Sequence, residues 1–106
     1  MAENLFPDLF RNRQRRIQSA DTAVAEARRA VEQSQAGNQQ RHIRSAARKS
    51  ERAAKLYQEA GLGLLAKQQF AAAARFYSLC KDTERAKLNQ ERWSAVSTYW
   101  EEPESK

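Results

Sequence analysis

The chain has 106 residues, of which 41% are apolar and 30% charged, with only three glycines and two prolines. That is about one domain's length and the composition of a packed protein, which excludes a disordered or disulfide-scaffold chain. Nineteen Lys and Arg against thirteen Asp and Glu give a net charge of +6. The longest nearly unbroken apolar run, 60–66, falls far short of the roughly 20 residues a membrane span needs. Cys80 and His42 are each the single residue of their type, so an internal disulfide and any site needing two imidazoles are excluded. Glu3 and Asp8 lie in an N-terminal stretch with no basic n-region, so no secretory leader is expected. Cysteine usage then points to an intracellular, cytoplasmic location.

Strand patterns are missing, and Ala, Glu, Lys, Arg, Gln and Leu dominate, all good helix formers. The first helix is expected over 8–35, opening after Pro7, with Ile17, Ala20, Val24, Ala27 and Val31 recurring every three or four residues on one face. Ala36, Gly37 and Asn38 read as a stop and restart, glycine closing one helix and asparagine capping the next. The second helix is expected over 39–67, with Ile43, Ala46, Ala47, Ala53, Ala54, Tyr57, Ala60, Gly61, Leu64 and Leu65 as its apolar stripe. The third runs over 70–100, either unbroken or interrupted near 82, and 101–106 reads as a disordered acidic tail. Short connections force antiparallel neighbours. The expected fold is therefore all-α, an antiparallel three- or four-helix bundle forming a single domain over 1–100. Its alanines bury little area each, so a homodimer covering the aromatic-rich third helix stands beside the monomer as an open alternative.

Residues 54–81 carry a second layer of pattern. Tyr57, the pair Ala60 and Gly61, and Leu64 are followed by Phe70, Ala73, Tyr77 and Cys80, which alternates large and small side chains at helical spacing. In this the segment resembles the helical hairpin of tetratricopeptide repeats, in which small residues let two helices touch and large ones fill the space beside them. Gln68 stands where that repeat carries its turn glycine, and Arg85 where it carries its closing proline. The microtubule-interacting-and-trafficking (MIT) domain, a three-helix relative with the same hairpin grammar, is similar in size. The resemblance implies a non-enzymatic adaptor that receives a protein partner, a helix or a peptide, in an interhelical groove.

The sharpest local feature is basic. Arg41, Arg44, Arg48, Arg52 and Lys55 are spaced three, four, four and three. They share one sector of the second helix, opposite its apolar stripe, and make a row roughly 20 Å long. Residues 11–52 hold eleven Lys and Arg against four Asp and Glu. Arg11, Arg13, Arg15 and Arg16 form a second cluster, and Arg28 and Arg29 are expected beside the start of the second helix. Only Glu51 and Glu59 lie on or near the stripe, so a lattice of ion pairs does not explain it. Solvated surface, an acidic peptide, an anionic membrane and nucleic acid all remain open as readings of the row, and a line of arginines suits phosphate recognition. In size and helical layout the chain is similar to the small viral suppressors of RNA silencing, which bind duplex RNA as dimers; this implies a duplex RNA read by its shape.

The remaining candidates are plainer. Cys80 reads as a small core residue facing the second helix, and His42 as an exposed or capping residue. Trp93 and Trp100, with Tyr99, read as packing residues or as partner contacts. The letters of Gly61 to Ala66 match a dinucleotide fingerprint, but they follow a helix rather than a strand. No paired carboxylates, metal-ligand cluster or cofactor motif is found, so no catalytic activity, metal or cofactor is expected.

Overall fold

The computed structural model describes residues 2–34 and 39–96. Among these are four α-helices and no strand: α1 (Ala2–Ser34), α2 (Gln39–Glu59), α3 (Gly63–Leu79) and α4 (Thr83–Ala95). Each packs chiefly against its neighbours in the chain, giving an all-α antiparallel array with extents of 54 × 31 × 22 Å. No described helix is long and apolar enough to cross a membrane.

The α1/α2 contact is a ladder of alanines. Ala20, Ala23, Ala27 and Ala30 of α1 are buried, as are Ala46, Ala47, Ala53 and Ala54 of α2. Methyl-sized side chains let the two backbones approach closely. The expected face of α1 does turn inward, with Ala20 and Ala27 buried, but its centre shifts toward Ala23 and Ala30, leaving Ile17, Val24 and Val31 half-buried at its edge. Large side chains enter from α3. Phe70 joins Ala20, Ala53, Ala54 and Tyr57, while Tyr77 joins Ala47, Ala73 and Ala86 of α4. Phe70 and Tyr77 are the largest fully buried side chains, and each contributes about 1.5–3 kcal/mol by leaving water.

The second and third helices do not end where the pattern predicts. Instead of running to 67, α2 stops at Glu59, and α3 passes unbroken through Gln68. Gly61 adopts φ 82°; its N–H bonds the Gln58 carbonyl and the Leu62 N–H bonds the Tyr57 carbonyl, at 3.0 and 2.9 Å. This double bond pattern closes a helix around a left-handed residue. Gly61 is therefore a turn residue, not a contact between packed helices, and a Cβ there would meet nothing within 4 Å. A helix continued through 61–63 would carry two interior glycines, each costing about 0.5–1 kcal/mol, whereas Gln68 and Gln69 offer no turn chemistry. The tetratricopeptide register thus loses its hairpin at 68, although the helical hairpin itself is present.

The interruption near 82 is real and built the same way. Lys81 has φ 66°, with Lys81 N–H on Ser78 O and Asp82 N–H on Tyr77 O, both at 2.9 Å. Asp82 then caps α4 by accepting from the Arg85 N–H at 3.1 Å. At the other end, α1 begins at Ala2 rather than after Pro7. The turn read at 36–38, the tail at 101–106, Tyr99 and Trp100 lie outside the described residues.

Candidate functional site

Lys49 lies opposite Glu26 (3.2 Å) and Glu59 opposite Arg16 (3.5 Å), exposed pairs that follow the antiparallel register of α1 and α2. With the alanine ladder sealed between them, the outer flanks of the two helices form the walls of a cleft of about 1220 Å³. From α2 it takes Arg41, Arg44, Arg48 and Arg52, together with Ser45 and Lys49. From α1 it takes Arg15, Gln18, Ser19, Thr22 and Glu26. Four of the five residues expected to form a basic row therefore line one concavity. Lys55 is exposed, one turn beyond Arg52, and does not line it.

Six cations face a single carboxylate in this cleft. Glu26 is occupied by Lys49, and the half-exposed Arg44 reaches Asp82 at 3.3 Å. Among the described residues, Arg15, Arg41, Arg48 and Arg52 have no ion-pair partner. The acids expected near the row turn elsewhere. Glu59 faces Arg16, and Glu51 points toward α3 and α4, accepting from Tyr77 Oη at 2.9 Å, Arg92 at 2.7 Å and Asn89 Nδ2 at 3.5 Å. Glu51 thus neutralises Arg92 of α4, and the outer side of α2 keeps its charge. Repulsion along such a row is relieved when an anion is recruited.

The other singled-out residues sit as follows. Arg13 donates from Nε to the Ala60 carbonyl at 2.8 Å, satisfying a carbonyl at the C-terminal end of α2. Arg28 lines the opposite flank of α1 rather than this cleft. Cys80 is buried at the end of α3, its thiol donating to the Phe76 carbonyl at 3.1 Å. Burial raises its pKa, with Arg44 acting in the opposite sense. Trp93 is 42% exposed, with the Lys67 ammonium 4.2 Å from its ring centroid. Tyr57 Oη donates to Asp21; burial, then that hydrogen bond, push the phenol up to about 12.

Arg15 was legible only as part of a terminal cluster, and Ser19, Thr22, Ser45 and Lys49 carried no signal of their own. The alanine ladder held the information, because once it sets the register of the two helices their outer flanks are fixed. No protein-family model matches the chain, and no curated protein or solved structure is significantly similar to it.

Proposed function

We propose that the protein is a non-enzymatic helical module that holds a nucleic-acid duplex by its phosphate backbone across the α1/α2 cleft, with duplex RNA as the ligand recognised by shape. One observation carries this reading: six cations line the cleft against one carboxylate, and four of the arginines have no ion-pair partner among the described residues. Along α2 the guanidinium groups recur every three or four residues, about 4.5–6 Å apart along the axis. Each presents a planar fork suited to phosphate oxygens. Ser19, Thr22 and Ser45 add hydroxyl donors between them. Two helices lie abreast here, so the surface is too broad to enter a major groove as a lone recognition helix does. It suits contact across the wide, shallow minor groove of an A-form duplex.

Mobility-shift titrations with duplex RNA and duplex DNA at two salt concentrations test the proposal. Neutralising four or five phosphates should make affinity fall roughly 10²–10³-fold between about 50 and 200 mM salt. Absence of a complex with either duplex at the lower salt rejects it.

A second reading, an adaptor that takes a helical protein partner in an interhelical groove, is supported by a different place in the fold. Between α1 and α3 runs a groove of about 410 Å³ walled by Val24, Val31, Ala72 and Phe76. Its binding would hardly respond to salt.

A further inference from the structure

The α1/α3 groove lies on the flank of α1 opposite the basic cleft, and no helix of the described chain covers it, since α4 packs on α3. Its apolar character extends beyond its walls. Leu65, Ala72 and Leu79 are spaced by seven and share one face of α3. Leu79 is 58% exposed and Leu65 39%. The groove itself adds Val24, Val31 and the half-buried Phe76, with Gln69 among them, and apolar side chains left exposed on one side of a small protein mark an interaction site.

The rim says what covers it. Arg28 and Glu32 of α1 border the groove four residues apart. Both are exposed, and neither is in an ion pair among the described residues. A two-fold interface must be complementary to itself, residue i of one copy meeting residue j of the other and the reverse. A two-fold axis passing between Arg28 and Glu32 does this, setting each arginine against the glutamate of the other copy while the Leu79, Phe76 and Val31 surfaces close on one another. We propose that this face is the interface of a homodimer. The inference rests on the groove being a docking surface and names a second copy of this chain as its occupant; it does not depend on the duplex reading.

Sedimentation equilibrium over micromolar concentrations, with circular dichroism to confirm folding, tests it. The wild type should be dimeric, and Leu79→Glu monomeric with its helix content unchanged. Arg28→Glu leaves two glutamates at the rim and Glu32→Arg two arginines, so each alone should weaken the dimer at least tenfold. An equimolar mixture of the two variants should restore dimers, because opposite charges then meet across the axis. A wild type monomeric throughout overturns the homodimer while leaving the groove to a foreign helix. A dimer indifferent to Leu79→Glu and to both charge changes also overturns it, because the two copies then meet on another face. Dimer loss in the single variants without restoration in the mixture rejects the two-fold pairing.

Discussion

On the α4 side of α2, Glu51 gathers Tyr77, Asn89 and Arg92 around one carboxylate, and Asp82 holds both Arg44 and Arg85. On the α1 side, Arg41, Arg48 and Arg52 project from the same helix with no such partner among the described residues. The packing differs in step: Phe70 and Tyr77 fill the C-terminal contacts, while the N-terminal hairpin closes on alanines. Cations closed into carboxylate networks serve the fold, whereas cations left open on a rigid, closely packed pair of helices are free to serve a ligand. Removing a charge from the first set should cost stability, and removing one from the second should cost binding.

The largest stability effect is expected at Glu51. Replacing it with Ala strands Arg92, the Tyr77 hydroxyl and the already under-satisfied Asn89, whose Oδ1 has no partner. A loss of about 2–3 kcal/mol is expected in urea unfolding, at the low end for a broken buried pair because Arg92 is 34% exposed. A cost below about 0.5 kcal/mol, the scale of an ordinary surface change, would erase the distinction between the halves. Arg48→Ala should do the reverse. Duplex affinity should fall by about tenfold for unrelated sequences alike, with the urea midpoint unmoved. A midpoint shifted as far as that of Glu51→Ala would place Arg48 in the structural set.

The two turns sharpen the contrast at smaller magnitude. Both place a residue at positive φ, Gly61 in one and Lys81 in the other. A side chain there costs roughly 1–2 kcal/mol, so Gly61→Ala should destabilise by about 1 kcal/mol through backbone strain alone. Lys81→Gly should stabilise by up to about 0.5–1 kcal/mol, read as opposite shifts of the thermal midpoint.

The smallest effect is in pH. Burial and carboxylate partners raise Tyr57, to about 12, and Tyr77 in the same direction. Unfolded, tyrosine titrates near 10, so over this range the folded chain holds more protons than the unfolded one. The stabilisation is complete below about pH 10 and is lost as pH rises through the folded values. Tyr57→Phe should flatten the fall in unfolding midpoint above about pH 10, and an unchanged slope would remove the phenol from the account.

Helix existence and the antiparallel order were legible in the chain, because composition and short connections act locally, whereas the break near 82 was legible only as one of two alternatives, which the turn at Lys81 and the Asp82 cap decide. The basic row was legible too, since spacing along one helix fixes its face. The boundary at 60–62 was misread because Gly61 fits two roles, a small packing residue inside a helix and a left-handed terminator. Local pattern matched the first, but the paired N–H bonds at Tyr57 and Gln58 select the second. Trp100 and the end of the third expected helix fall outside the described residues.

What the amino-acid order determined alone is the set of helices and the charge carried by each face, which depend on neighbours three and four residues away. Only the tertiary structure decided which charges are neutralised. Glu51 reaches Arg92 and Asp82 reaches Arg44 across gaps of 41 and 38 residues, and small alanines, not the bulkier valines, set how α1 turns against α2. Coulombic pairing and close packing act through space, so the open cleft and the uncovered groove exist only once the helices are side by side.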